Sequence, residues 1–85
     1  MKIAIRYFAS VREKLGLAQE SVELPAHVAT VGGVREWLVA RGGAWAEALD
    51  GKRALRMAYD QQMADAATPV MDSGEVAFFP PVTGG

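Results

Sequence analysis

The spacing of apolar residues changes period twice along this chain, and that sets the fold class before any other feature does. From Lys2 to Ala9 the chain alternates, with Ile3, Ile5 and Tyr7 on one side and Lys2, Ala4, Arg6 and Phe8 on the other. That is the pattern of a strand with one face on a core. Glu20–Leu24 alternates again, with Val22 and Leu24 inward, and Pro25 ends it. Val31, Val34 and Leu38 then recur at helical spacing behind Thr30, a suitable N-cap, with Trp37 flanking the stripe. Strand patterns return in Leu55–Tyr59, in a short Gln62–Ala64 and in Glu75–Phe79. A long helix placed after a strand pair must lay its apolar stripe across a sheet, so the order predicts a two-layer α+β domain.

Local signals refine the boundaries. Ser10-Val11-Arg12-Glu13 fits a capping box, predicting a short helix from about Val11 to Leu15 that stops at Gly16. Gly42-Gly43 is expected to terminate the main helix. Gly32 and Gly33 in its first turn cost about 1 kcal/mol each relative to alanine. Trp45–Leu49 adds a possible helical turn before the turn signal Asp50-Gly51, and Asp72-Ser73-Gly74 is a second turn.

At 85 residues the chain has room for one domain, and 51% hydrophobic with 22% charged residues is the composition of a soluble globular one. Nine Lys+Arg against ten Asp+Glu give a net charge of −1, which supplies no broad electrostatic reason to bind nucleic acid or an anionic membrane. No cysteine is present, so disulfides, thiolate nucleophiles and thiolate metal sites are excluded; His27, the single histidine, excludes a His-pair metal site. No run approaches the ~18 apolar residues of a membrane span. Arg6 interrupts the apolar start and no signal-peptide pattern follows, so a cytoplasmic location is expected.

Few residues suggest catalysis. A Ser–His pair would need His27 beside Ser10, Ser21 or Ser73, none of which stands in a nucleophile turn; a histidine between Pro25-Ala26 and Val28 reads as a solvated loop residue. Gly32-Gly33 lacks the frame of a phosphate-binding loop. Lys52, Arg53 and Arg56 form a small basic cluster without interleaved aromatics, which reads as a turn and strand edge kept soluble. Met57, Met63 and Met71 read as core or gap fillers.

The informative stretch is Phe78-Phe79-Pro80-Pro81-Val82-Thr83-Gly84-Gly85, a strand running into an uncharged tail. At roughly 3.3 Å per residue, Pro80–Gly85 reaches about 20 Å past the strand. Gly84 and Gly85 carry no Cβ, so the main chain can enter a slot too narrow for a side chain. The prolines stiffen the exit and lower the entropy lost on capture. What remains to react is the α-carboxylate of Gly85. Strand alternation adds a second feature. With Tyr7 and Phe78 inward, Phe8 and Phe79 point to the other face, and pairing of the first and last strands would bring them together as a contact patch.

The two ends of the chain carry a resemblance. Ile5-Arg6-Tyr7-Phe8-Ala9-Ser10-Val11-Arg12-Glu13 and Gly74-Glu75-Val76-Ala77-Phe78-Phe79-Pro80-Pro81-Val82-Thr83-Gly84-Gly85 resemble the opening and closing segments of the small, sulfur-carrying subunits of molybdopterin synthase. Thr30-Val31 to Leu38 sits where that family has its main helix. The resemblance implies a ubiquitin-like β-grasp fold, a mixed sheet of four to five strands packed on one main helix. Residues 1–79 would form the domain and 80–85 a flexible reactive tail.

It implies a mechanism too. An activating enzyme uses ATP to adenylate the Gly85 carboxylate, and a sulfur donor protein displaces AMP to leave a thiocarboxylate. The tail of Pro80, Pro81, Val82, Thr83, Gly84 and Gly85 then delivers the sulfur to a cyclic pyranopterin monophosphate inside the large synthase subunit. The resemblance further implies that the chain is no enzyme on its own. It would bind no cofactor or metal, would assemble as two small plus two large subunits, and would engage no nucleic acid or membrane. The family's hydrophobic interface positions fall on Phe8, Met63 and Phe79. Asp60, where an asparagine is common, and Asp72-Ser73-Gly74, where Asp-Gly-Asp is more usual, depart from the pattern. Competing readings are a sulfur carrier for thiamine thiazole, a ubiquitin-like modifier conjugated through Gly85, and a binding module with an inert tail.

Overall fold

The computed structural model describes residues 1–81. Its elements run β1 (Lys2–Tyr7), α1 (Ala9–Leu15), β2 (Gln19–Glu23), α2 (Val31–Val39), α3 (Gly43–Leu49), β3 (Arg56–Tyr59), β4 (Gln62–Ala64) and β5 (Glu75–Phe79). The strands form one mixed sheet in the order β2-β1-β5-β3-β4. β1 and β5, the two ends of the sequence, pair in parallel with Tyr7 opposite Phe78, and every other neighbour is antiparallel. The α+β class and the strand alternation are therefore as the sequence predicts.

One face of the sheet carries the core. Ile3, Ile5, Tyr7, Val22, Val76 and Phe78 pack against Val31, Val34 and Leu38 of α2 and Leu49 of α3. Tyr7 and Phe78 stack with ring centroids 6.4 Å apart. Each large apolar side chain taken fully from water contributes roughly 1.5–3 kcal/mol, so this cluster dominates the stability of so small a domain.

The helix ends differ from the sequence reading at three places. α1 begins at Ala9, with Phe8 as an N-cap that makes no side-chain bond, so the Ser10–Glu13 box does not form. Ala9 adopts φ +50° instead, a left-handed kink that turns the chain straight from β1 into the helix and puts Ser10 already inside it. Gly16 ends α1 in the left-handed conformation, as expected, its N–H bonding the Arg12 carbonyl. α2 stops at Val39, before Gly42-Gly43; those glycines, at φ +77° and +54°, start α3. α3 itself is longer than the single turn read from Trp45–Leu49.

Thr30 caps α2 by accepting from the Gly33 N–H at 3.0 Å. Gly32 has a packing role. Its N–H donates to the Ala66 carbonyl, and a Cβ there would stand 2.8 Å from the Ala66 Cβ. β3 and β4 are joined by Asp60-Gln61, at φ +47° and +67°, the paired positive angles of a tight hairpin. Asp60 also accepts the Glu75 N–H at 2.9 Å, so an aspartate serves this position.

Candidate functional site

The face of the sheet away from the helices presents a continuous strip. The pairings place Arg6, Ala77, Ala58 and Met63 side by side across β1, β5, β3 and β4. Ala58 and Ala77 are buried, whereas Met63 is 62% exposed. Small residues on the two inner strands thus form a low apolar floor with a methionine on its rim. Met63 and Met71 are exposed and not core fillers; of these three methionines Met57 packs against the core. β4 is an edge strand three residues long, too short to bury its outward side chain.

One step toward the end of β5, Phe8 and Phe79 meet edge to face with ring centroids 6.3 Å apart. Phe8 is 39% exposed, and α1 does not cover it because Val11, and not Phe8, turns into the core. The Arg6 guanidinium lies 5.2 Å from the Phe8 ring centroid, and Arg56 stands opposite Phe79. The structure thus brings Phe8 and Phe79 together and sets Met63 on the same face at the far side of the alanine floor.

Pro80 and Pro81 follow directly from Phe79, both half-buried. Pro80 lines an open cleft with Ser10, Val11, Lys14, Arg53 and Leu55. The remaining tail positions predicted to act, Val82, Thr83, Gly84 and Gly85, lie outside the described residues, as does the predicted flexibility of the tail.

A polar cluster behind the strip fixes its orientation. The Tyr7 hydroxyl donates to Glu20 Oε2 at 2.8 Å, and Arg41 grips both Glu20 oxygens at 2.9 and 3.1 Å. Trp45 Nε1 donates to the Tyr7 oxygen at 3.4 Å, and the Arg41 guanidinium lies over both Trp37 and Trp45. Burial, foremost, raises the Tyr7 phenol well above its ordinary value; the Trp45 hydrogen bond opposes this and Glu20 reinforces it. β1, β2 and the α2–α3 junction are tied together by this one carboxylate. The sequence held a signal for it, since Glu20 shares the inward parity of Val22. Arg35 was missed altogether: it donates to the carbonyls of Leu49, Asp50 and Arg53, capping the end of α3.

The other candidates assemble nothing. His27 is exposed in the loop after Pro25, and Ser10, Ser21 and Ser73 are exposed on separate elements. Among the described residues no group of His, Asp and Glu could hold a metal ion, and no helix is long and apolar enough to cross a membrane. The chemistry within reach is recognition by an apolar strip at the root of a tail.

A mixed five-stranded sheet wrapped on one main helix, with the C-terminal segment leaving an inner strand, is the ubiquitin-like β-grasp fold. Comparison with known proteins narrows that class. The ThiS family matches residues 5–85, and the chain belongs to that family. It is 43% identical over 84 residues to the molybdopterin synthase sulfur carrier subunit of Escherichia coli (strain K12), covering 98% of this chain and 99% of that one. Among solved structures, the small archaeal modifier protein SAMP1 of Haloferax volcanii superposes with a TM-score of 0.81 at 24% identity over the whole of both chains. A chain from the complex of subunits 1 and 2 of the Helicobacter pylori 26695 molybdopterin-converting factor superposes with a TM-score of 0.69 at 21% identity, again over the whole of both chains.

Proposed function

We propose that this protein is the sulfur-carrying subunit of a molybdopterin synthase and that Gly85 bears the sulfur as a thiocarboxylate. The observation that carries the reading is the Phe8–Phe79 pair, an exposed aromatic contact at the point where Pro80 and Pro81 leave the sheet. The likeness to the Escherichia coli sulfur carrier subunit over nearly the full length supports it.

A carboxylate is a poor electrophile. An activating enzyme therefore first joins the Gly85 carboxylate to the AMP portion of ATP, releasing pyrophosphate. A sulfur donor protein's terminal sulfur attacks the acyl carbon and expels AMP, and a thiol then cleaves the donor's bond to that sulfur, leaving the Gly85 thiocarboxylate and a disulfide on the donor side. Within the large subunit the Gly85 thiocarboxylate sulfur bonds to a side-chain carbon of the cyclic pyranopterin monophosphate as that carbon's bond to oxygen breaks. Hydrolysis of the resulting thioester returns the carboxylate and leaves the sulfur on the pterin. The product dithiolene holds two sulfurs, so two loaded carriers serve each pterin. The large subunit supplies the catalytic groups, and this chain supplies the sulfur and a docking face made of Phe8, Met63 and Phe79. Orientation of the thiocarboxylate by the docked tail is its contribution to rate. The assembly is two small plus two large subunits, working in the cytoplasm.

Intact mass spectrometry of the protein isolated from its own host tests this. Replacement of one oxygen by sulfur at Gly85 is the expected mass gain. Conjugates to other proteins through Gly85, with no thiocarboxylate form, would overturn the reading in favour of a protein modifier.

A further inference from the structure

The basic residues that read in sequence as a soluble turn and strand edge acquire another meaning from where the fold puts them. β1 and β5 are parallel, so both finish where Pro80 leaves. β3 starts at that same end, with Arg56 opposite Phe79. Arg6 lies near the end of β1, Lys14 and Arg53 line the cleft beside Pro80, and Lys52 precedes Arg53. Arg12 is exposed on α1, which follows β1 directly.

The carboxylates nearby do not balance these charges. Glu47 already pairs with Lys14 at 3.8 Å, Asp50 accepts the Lys52 backbone N–H, and Glu13 is exposed on α1. Asp65, just after β4 at the Arg56 end, accepts the Ala67 N–H and the Thr68 hydroxyl. Among the described residues, Arg6, Arg12, Lys52 and Arg56 have no carboxylate within ion-pairing distance.

The opposite end of the sheet has the opposite sign. Asp60 accepts the Glu75 backbone N–H there, Asp72 accepts the Lys2 backbone N–H, and Glu23, across from Lys2, pairs with the N-terminal ammonium at 3.4 Å, so four carboxylates stand against two cations. A net charge of −1 thus conceals a molecule whose tail end is positive and whose far end is negative. Cations gathered within a Debye length of about 8–10 Å repel one another, and a surface bringing carboxylates relieves that repulsion.

We infer that the tail end is a cationic collar, with Arg12, Lys52 and Arg56 engaging carboxylates on the rim of the large-subunit channel that receives the tail. The inference rests on the docking proposed above and adds to it a class of partner surface, acidic around the entry. A protein surface fits better than single-stranded nucleic acid. Phe8 and Phe79 pack edge against face, which leaves no open platform for a stacked base. Complementary charge at such a rim acts mainly on the encounter rate.

The test is stopped-flow association with the large subunit of the same organism at low and high sodium chloride. Wild type is expected to lose about tenfold or more in association rate at high salt. The double variant Arg12→Glu/Arg56→Glu should be slower by about tenfold at low salt and nearly salt-independent, with dissociation changed less than about twofold. Among the described residues neither side chain makes a hydrogen bond, and an unchanged melting temperature confirms that the variant is folded. Lys52→Glu, on a loop, repeats the test outside the regular elements. Tight but salt-insensitive association of wild type overturns the collar and leaves the docking reading standing. Failure of wild type to bind the large subunit at all overturns both. Salt-sensitive capture of single-stranded RNA, with salt-insensitive binding to the large subunit, overturns the protein occupant.

Discussion

Phe8 and Phe79 pack edge to face on the open side of the sheet, one residue beyond Tyr7 and Phe78, which stack on the core side. Both pairs follow from one register, Tyr7 opposite Phe78 in the parallel β1–β5 ladder. A slip of a single residue would turn the core pair outward and the surface pair inward. The burial of Tyr7 and Phe78 thereby fixes the position of the Phe8–Phe79 pair and the direction in which Pro80 leaves.

Because the core pair does that work, Phe79 can be removed without loss of the fold. Phe79→Ala is expected to leave a cooperative unfolding transition while weakening large-subunit binding at least about tenfold, as for an aromatic hot spot. Isothermal titration calorimetry reads the affinity and circular dichroism the fold. Unchanged affinity would remove Phe79 from the interface.

Gly32→Ala should do the reverse, lowering stability and sparing the surface. The added Cβ would lie 2.8 Å from the Ala66 Cβ and 2.9 Å from the Ala66 carbonyl oxygen, forcing α2 away from the loop that carries that residue. Overpacking of this kind costs roughly 1–3 kcal/mol, against the gain of up to about 1 kcal/mol that alanine brings to a helix. Urea denaturation should show a net loss. A more stable variant would mean that the loop yields freely.

That glycine marks the limit of what the sequence disclosed. Period-two alternation was enough to place Ile3, Ile5, Tyr7, Val76 and Phe78 inside and Phe8 and Phe79 outside, because burial on one face dictates side-chain parity. Contacts between distant segments left no such trace. Gly32 reads as a weak helix start until Ala66 is seen against it, and nothing near Arg35 in the sequence points to the carbonyls at the end of α3 that it holds. Met63 was placed on the interface only by resemblance, since nothing in its own neighbourhood distinguishes an edge-strand methionine from a core one. The Ser10–Glu13 box failed because pairing of Phe8 with Phe78 brings the chain to the helix two residues early, through the left-handed Ala9.

Arg35 offers a stability prediction of its own. It holds three carbonyls at 2.6–2.9 Å, and burial lowers its pKa while Asp50 opposes the shift. Hydrogen bonds to a charged group are worth roughly 1.5–3 kcal/mol. Arg35→Met keeps the aliphatic stem and should lose stability on that scale in urea titrations. Arg35→Lys should recover only part of the loss, because an ammonium cannot span the same fork. Full recovery with lysine would mean that charge and not geometry matters there.

Tyr7 makes the domain sensitive to alkali. Its folded-state pKa lies above the ordinary value of 10.0, so above that pH the unfolded chain releases the phenolic proton while the folded chain retains it. The unfolded state then binds fewer protons, and stability falls as pH rises past about 10. The contribution is fully present at neutral pH. Tyr7→Phe, which removes the titrating group, should show a shallower decline of the urea midpoint across that range, at the cost of the bond to Glu20. Equal slopes in the two proteins would show that Tyr7 is not the group responsible.

The role proposed for the tail can be separated from the fold most sharply by deleting Gly85. β5 finishes at Phe79, and among the described residues none beyond Phe78 belongs to the buried core. Removal of the last glycine should therefore change unfolding stability by no more than about 0.5 kcal/mol. Docking through Phe8, Met63 and Phe79 should persist, because those side chains remain. Sulfur transfer should fall to background, since the new terminal carboxylate stops one residue, roughly 3.3 Å, short of the position the partner's catalytic groups require. Binding, stability and single-turnover product formation measured on the same preparation distinguish these outcomes. Product formed at the wild-type rate by the deletion variant would rule out Gly85 as the sulfur-bearing residue, even if every contact of the domain were confirmed.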